Sequence, residues 1–263
     1  MNSVCPQSCR CRLNSIMPDN TPPAYHIYKQ IPVFLGGNPG TERVVIYSSN
    51  TEMKAIAQIQ KFNESTNNWI TEYQKETGGI PYFNVSDGYW EAVMQNIAIL
   101  YYSAGSGGYL YYTVVGRRGG KLVELVNRQD IYQGNVWLDG GKLIEAYGNR
   151  YRLWTSRNGR LTLIPYRLPV IPGALVIDYS IIPDGRINIS KTGYTVKTGA
   201  MVQVIRTDLN SITERILYSY TPNARYIPHS SGFKFIGRGT MEFTIIPDGY
   251  DWAKAVKVTV TAE

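Results

Sequence analysis

Residues 134–166 constrain the fold most strongly, because polar and apolar side chains alternate there between short groups of turn residues. In residues 150–155, RYRLWT, one face carries Tyr151, Leu153 and Thr155 and the other carries Arg150, Arg152 and Trp154. The segment then reaches the turn Asn158-Gly159. A period of two is typical of half-buried antiparallel strands. Asn-Gly is a strong hairpin signal because a tight turn needs positive φ at both central residues. This stretch therefore predicts four short strands.

Two upstream segments, 32–74 and 89–127, repeat this layout less regularly. In the second copy we expect strands at 91–94, 97–102, 109–115 and 122–126. Three units of four strands predict a trefoil-like arrangement or a partial propeller, since each unit buries its apolar face only against its neighbours. An ordinary β-meander with similar turns is the alternative.

Residues 167–263 predict a second all-β domain after a proline-rich junction at 165–173. The pattern fits an immunoglobulin-like sandwich or a jelly roll. Its seven expected strands are 175–182, 186–190, 200–207, 212–220, 232–236, 241–246 and 255–261. The tetrapeptide Ile-Pro-Asp-Gly occurs at 182–185 and at 246–249, and we expect both turns at one end of the sandwich. The fold class is thus all-β, with an N-terminal arm (1–23), a repeat-containing β domain (24–166) and a β-sandwich domain (167–263).

The formal charge of +7 does not by itself indicate a nucleic-acid partner. Lysines and arginines are scattered, only Arg117 and Arg118 are adjacent, and no phosphate-binding loop or RNA-binding signature accompanies them. No stretch approaches the roughly 20 apolar residues of a membrane helix, so we expect no membrane insertion.

The first twenty residues lack the apolar core of a secretory signal. We therefore expect synthesis in the cytoplasm, and a final site in an extracellular, spore-surface or virion assembly reached by another route such as cell lysis.

The residues that usually perform catalysis are sparse. The two histidines, His26 and His229, lie far apart in loop-like contexts, and no nucleophile elbow, glycine-rich phosphate loop or zinc-hydrolase motif is present. Asp-Gly turns can bind calcium but are common without it. The sequence predicts a protein that is not an enzyme and has no cofactor or metal site.

All three cysteines, Cys5, Cys9 and Cys11, lie in the arm. An odd number suggests a partner outside the chain, and any disulfide between copies would join arm to arm in an oxidising setting. Two alternatives stay open: a zinc site completed by His26, because structural zinc takes four ligands, and three reduced thiols without a role.

An arm that carries Cys5, Cys9 and Cys11, a Pro22-Pro23 hinge and tyrosine-rich β domains resembles the subunits of bacterial endospore appendages. The resemblance implies assembly inside the mother cell without a leader, with the arm as a connector into a neighbouring subunit and the cysteines as cross-link residues. This chain differs from those subunits in having two β domains and no cysteine beyond the arm.

We therefore expect a structural subunit of a filament, appendage, coat or virion, assembled from copies of itself. The alternative is a carbohydrate- or cell-surface-binding module, because sugars stack on exposed aromatic faces. The candidate platforms are Trp69, Trp90, Trp137 and Trp154.

Overall fold

The computed structural model describes residues 21–36, 40–106, 108–148, 150–208, 212–219 and 221–263. Within these ranges the chain is all-β, as predicted, and the helical segments are single 3₁₀ turns at Glu91–Val93 and Trp252–Lys254. No helix in the described ranges is long and apolar enough to cross a membrane.

The N-terminal part forms three successive four-stranded sheets. The first, in the order β1-β2-β3-β4, contains Tyr25–Pro32, Glu42–Ser49, Ala55–Asn63 and Asn68–Glu76. The second, in the order β5-β6-β7-β8, contains Asn84–Trp90, Gln95–Ala104, Tyr109–Arg118 and Lys121–Ile131. The third, in the order β12-β11-β10-β9, contains β9 Gly134–Asp139, β10 Lys142–Tyr147, β11 Arg150–Arg157 and β12 Arg160–Tyr166.

The first and second sheets share one hydrophobic core. Val44 and Ile46 of β2 pack there with Ala98 and Leu100 of β6. Because side chains alternate along a strand, Val45 lies on the opposite face of β2.

One predicted strand of the second copy is wrong. The segment 91–94 is the 3₁₀ turn that precedes β6, and it ends at Met94, which has a left-handed φ of 52°. The first strand of this sheet is instead β5, upstream of the turn. The predicted strands 97–102, 109–115 and 122–126 lie within β6, β7 and β8.

The C-terminal part contains two sheets that share a core. One, in the order β14-β13-β16-β19-β18, contains β13 Leu175–Ile181, β14 Ile187–Ile189, β16 Met201–Arg206, β18 Ala224–Ile227 and β19 Gly232–Phe235. The other, in the order β15-β21-β20-β17, contains β15 Gly193–Val196, β17 Glu214–Tyr218, β20 Gly239–Pro247 and β21 Val256–Ala262. Tyr179 and Phe235 from the first sheet and Phe243 and Val258 from the second are among the core residues.

Each of the seven strands predicted after residue 167 has a counterpart in these sheets, whereas β15 and β18 were not predicted. Both lie at a sheet edge and have only four residues, so they carry little apolar alternation. The first Ile-Pro-Asp-Gly turn lies near a residue that follows the second: a Cβ on Gly185 would be 3.2 Å from Lys254 Nζ.

The chain divides into two compact units. One comprises the chain up to Ile144 together with Trp154–Thr162, and the other comprises Glu145–Leu153 and Leu163–Glu263. The expected boundary fell between 166 and 167, whereas the second unit also takes in Glu145–Leu153.

Candidate functional site

The central strand β2 is buried on both sides. Val44 and Ile46 face the shared core, and Arg43, Val45 and Tyr47, on the opposite side, are also 0% exposed. We call this second surface the Arg43 face. It consists of Gln30, Arg43, Val45, Tyr47, Ile56, Gln58, Gln60, Trp69, Thr71 and Gln74.

The strand register places these side chains together. Arg43 lies opposite Gln60, and Val45 lies opposite Gln58. Gln58 in turn lies opposite Gln74 on the next strand. Directly paired residues on one face of an antiparallel sheet have neighbouring Cβ atoms, so the register alone aligns arginine and glutamines across three strands.

Hydrogen bonds join the polar side chains of the Arg43 face into one network. Arg43 donates from Nε to Gln60 Oε1 and from Nη1 to Gln30 Oε1, both at 3.0 Å. Gln60 Nε2 donates to Gln58 Oε1 at 2.8 Å, and Gln58 Nε2 donates to Gln74 Oε1 at 3.0 Å. The guanidinium is thus held by neutral amide oxygens.

The Arg43 guanidinium also stacks on an aromatic ring. Its central carbon lies 3.8 Å from the centroid of the Trp69 ring. Within the described residues, Arg43 Nη2 and Trp69 Nε1 are both buried and have no hydrogen-bond partner. Two buried N–H donors therefore lie side by side without an acceptor.

The positive charge of Arg43 has no anion beside it within the described chain. Burial of the guanidinium lowers the pKa of Arg43 to about 10, so the side chain still carries its charge near neutral pH. A buried charge without a counter-ion is unfavourable, and a planar guanidinium binds carboxylates with good geometry. Chemically, the Arg43 face is suited to an acceptor group, above all a carboxylate.

The neighbours of the Arg43 face among the described residues belong to its own sheet. The apolar residues packed on Val45, Tyr47 and Ile56 are Tyr25 and Ile27, which belong to the same sheet. In the described residues, the hydrogen bonds and ring contacts of the polar side chains also stay within the first sheet. Arg43, Val45 and Tyr47 are nonetheless 0% exposed.

The chain enters the first sheet through a tight turn. The Tyr25 backbone N–H donates to the Pro22 carbonyl at 3.1 Å, and Ala24 has a φ of 67°. Such a turn reverses the chain direction. The turn lies at the start of β1, an edge strand next to β2.

No family model matches this chain, and no curated protein matches it. Among solved structures it is similar to Drosophila Semaphorin 2a, at 9% sequence identity and a TM-score of 0.25. The match covers 89% of this chain and spans 56% of the length of that one. A likeness of this size supports no conclusion about this chain.

The structure does not bring the sequence-predicted site residues together. Cys5, Cys9 and Cys11 lie outside the described residues. Trp69, on the Arg43 face, is 6% exposed.

The other three predicted platforms, Trp90, Trp137 and Trp154, are also buried or half-buried. Trp90 is 0% exposed and Trp137 is 6% exposed, so neither ring presents a face to a sugar. Trp154 is half-buried and donates from Nε1 to Tyr112 Oη at 2.7 Å.

Sequence reasoning missed the exposed aromatic residues of the second unit as candidates for ligand binding. Trp252 is 61% exposed and Tyr250 is 78% exposed, both just after the second Ile-Pro-Asp-Gly turn. The signal was present, since a strand that ends in Pro-Asp-Gly places the following residues in a loop.

Proposed function

We propose that this protein is a non-enzymatic structural subunit that assembles with copies of itself through its N-terminal arm, residues 1–23. One observation carries this proposal. Strand β2 is buried on both sides, yet the described residues that contact its Arg43 face all belong to the same sheet. A face of this kind fits an added segment of chain. In the assembly, the arm of one copy docks on the Arg43 face of the next.

Exchange of an identical segment between copies needs little new surface, because the same contacts form within one copy or between two. Cys5, Cys9 and Cys11 travel with the arm and would lock the assembly by disulfides in an oxidising setting. The product is a filament, appendage, coat or virion part on an extracellular, spore or virion surface. The resemblance to endospore-appendage subunits supports the connector role of the arm.

We also infer the finer architecture. The three four-stranded sheets, each in sequence order, support a partial propeller over a trefoil. The shared core of the two C-terminal sheets supports an immunoglobulin-like or jelly-roll sandwich. An experimental structure of the full chain tests both assignments.

The assembly proposal is tested on the full chain by light scattering and negative-stain electron microscopy over a range of concentrations. A variant with Cys5, Cys9 and Cys11 all changed to serine is the matched control, because it keeps the arm and removes the thiols. We expect multimers in both proteins, with covalent ladders in the wild type only that disappear on reduction. A monomer at every concentration, with and without reductant, would overturn the proposal.

Glycan binding is a second candidate function, and the exposure of Tyr250 and Trp252 favours it. The loop is ordered by backbone hydrogen bonds: Asp251 N–H donates to Pro247 O at 3.0 Å, and Trp252 N–H donates to Tyr250 O at 2.9 Å. A glycan array compares the wild type with Trp252→Ala and with a control variant, Tyr226→Ala. Tyr226 is 63% exposed and lies elsewhere in the unit. Loss of a signal in the first variant alone supports the site, and an array without any signal argues against it.

A further inference from the structure

A row of aromatic rings lies at one end of the second sheet. Tyr102 of β6 is paired with Tyr111 of β7, and their rings are stacked, with centroids 5.1 Å apart and planes 6° from parallel. Tyr109 lies on the same face of β7 as Tyr111, because side chains two positions apart along a strand share a face. The Tyr109 ring in turn contacts the ring of Tyr132 at 5.6 Å, tilted by 59°. We call Tyr102, Tyr109, Tyr111 and Tyr132 the tyrosine row.

The tyrosine row is anchored in the core at one end and open to solvent at the other. Phe83, a core residue that is 3% exposed, meets the Tyr102 ring edge-on at 5.5 Å. Tyr102, Tyr111 and Tyr132 are half-buried, whereas Tyr109 is 39% exposed. The contact of Tyr109 with Tyr132 is tilted rather than stacked, so these two rings do not cover each other's faces. The ring surface of Tyr109 is therefore available to a ligand.

A β-bulge places a carboxylate beside the tyrosine row. The pairing of β7 with β8 shifts by one residue between Leu110 and Tyr112, so Gln129 and Asp130 of β8 both stand opposite Tyr111. Asp130 has a left-handed φ of 56°. The Tyr111 hydroxyl donates a hydrogen bond to the Asp130 carboxylate. Bulges of this kind re-aim a side chain and recur beside functional sites, and an unfavourable backbone conformation is a reason to look for a function.

The Asp130 carboxylate has capacity for further hydrogen bonds. The hydrogen bond with Asp130 raises the pKa of Tyr111 to about 12, so the phenol keeps its proton near neutral pH and remains a donor. An ionised carboxylate accepts several hydrogen bonds through its two oxygens. Asp130 is exposed to solvent, so a ligand on the tyrosine row can donate to the same carboxylate.

A sugar matches this combination of groups. The C–H face of a sugar ring packs on an aromatic ring, and its hydroxyl groups donate to a carboxylate at the edge of that ring. The negative charge of Asp130 disfavours anionic sugars. Single-stranded nucleic acids also stack on aromatic rings, but their phosphates need a basic groove, whereas the charged group bonded to the tyrosine row is a carboxylate.

We propose that the tyrosine row and Asp130 form a binding site for neutral glycans. Tyr109 is the stacking platform, and Asp130 accepts hydrogen bonds from the sugar hydroxyls. The inference goes beyond the proposed assembly function and does not depend on the N-terminal arm. It also concerns a different site from the loop with Tyr250 and Trp252, which belongs to the second unit.

The test uses the full chain on an array of neutral and acidic oligosaccharides, followed by calorimetric titration of the neutral oligosaccharide with the strongest signal. We expect binding that changes little with salt, because stacking and hydrogen bonds to an uncharged ligand are not screened. Tyr109→Ala should lower the affinity roughly tenfold through loss of the aromatic platform. Asp130→Asn should lower it roughly threefold or more, since an amide is a weaker acceptor than a carboxylate.

Tyr28→Ala is the matched control, because Tyr28 is 57% exposed on β1 of the same unit, and it should bind as the wild type does. Tyr109→Phe keeps the ring and should retain most of the affinity, which separates stacking from a loss of folding. Urea midpoints of all variants complete that check.

Three outcomes would overturn the inference: an array without a neutral glycan signal, a signal lost in Trp252→Ala but kept in Tyr109→Ala, or a Tyr109→Ala variant that loses multimers while its glycan binding is unchanged. The first two leave the assembly proposal intact, because the multimers of the wild type are measured separately. A strictly monomeric wild type that binds a neutral glycan through Tyr109 would overturn the assembly proposal and support the glycan site.

Discussion

Arg117 and Glu42 form an ion pair that joins the second sheet to the first, with Arg117 Nη2 at 2.6 Å from Glu42 Oε1. The same nitrogen lies 2.7 Å from Glu72 Oε2, and Glu42 Oε2 accepts the Leu35 N–H at 2.7 Å. Burial acts to lower the pKa of Arg117, but hydrogen bonds with Glu72 and Glu42 outweigh it and raise that pKa. The side chain of Glu42 is only 1% exposed, so its carboxylate is held by protein groups rather than by water.

We expect Arg117→Met to lower the free energy of unfolding by about 3 kcal/mol, because it leaves the Glu42 carboxylate buried without its main counter-ion. The control is Lys54→Met, which breaks a 2.7 Å pair with Glu52 whose side chains are 44% and 58% exposed. Exposed pairs contribute little to stability, so Lys54→Met should leave it almost unchanged. Urea unfolding measures the stability of both variants. An equal loss of unfolding free energy in the two would contradict a special role for the Arg117–Glu42 pair.

The second unit allows a closer comparison of buried and exposed ion pairs. Arg206 pairs with Glu214, with side-chain exposures of 1% and 2%, and Arg186 pairs with Asp184 at 2.7 Å, with exposures of 70% and 51%. We expect Arg206→Met to cost about 3–5 kcal/mol. Arg186→Met should leave the stability almost unchanged, because its pair with Asp184 is exposed to solvent. Thermal and urea unfolding compare the stabilities of the two variants. A larger loss of stability in Arg186→Met than in Arg206→Met would contradict the prediction.

Acid stability should depend on Glu124, which accepts from Lys75 Nζ at 2.8 Å and from Tyr73 Oη at 2.6 Å. Burial alone would raise the pKa of Glu124, but the hydrogen bonds from Lys75 and Tyr73 outweigh it and lower that pKa. A lowered folded-state pKa gives stability that is present above the unfolded pKa, about 4.3, and is lost as pH falls through the folded value.

We therefore expect Glu124→Gln to flatten the loss of stability between about pH 5 and pH 3. The effect should be below about 1 kcal/mol, because the side chain is 36% exposed. Urea midpoints across this range measure it, with Glu52→Gln as control. An acid slope unchanged from the wild type in Glu124→Gln would rule the pair out as its source.

Substitution by alanine should affect stability differently at two strand glycines that have ordinary φ values. A Cβ on Gly232 would lie 2.9 Å from the Val202 carbonyl oxygen, whereas a Cβ on Gly193 would have nothing within 4 Å. We expect Gly232→Ala to cost about 1–3 kcal/mol through backbone displacement. Gly193→Ala should be neutral or stabilising by up to about 1 kcal/mol, since alanine restricts the unfolded chain. Unfolding of both variants by urea tests the contrast, and a stable Gly232→Ala would show that the backbone yields there.

Turns and strands were predicted well where the signal is local. Asn158 and Gly159 have φ values of 50° and 73°, the positive values that the Asn-Gly hairpin signal requires. The turn at 91–94 was missed because its apolar residues resemble a strand, and only the left-handed backbone of Met94 shows otherwise.

The Arg43 face was not predicted at all. In the strand sequence ERVVIYSS, alternation places Arg43 on the side opposite the core, where an arginine is normally exposed. Alternation along one strand shows which residues share a face, but it cannot show whether that face is buried. For the same reason the sequence could not separate buried tryptophans, such as Trp90, from the exposed Trp252.

The sequence by itself determined the all-β class and the position of most strands, because period-two alternation and the backbone preferences of glycine, asparagine and proline act within a few residues. Only the tertiary structure decided which faces are buried and which strands pair across long separations, such as the parallel pair of β13 and β16. Burial and pairing depend on what packs against each face, and that contact joins residues far apart in the chain.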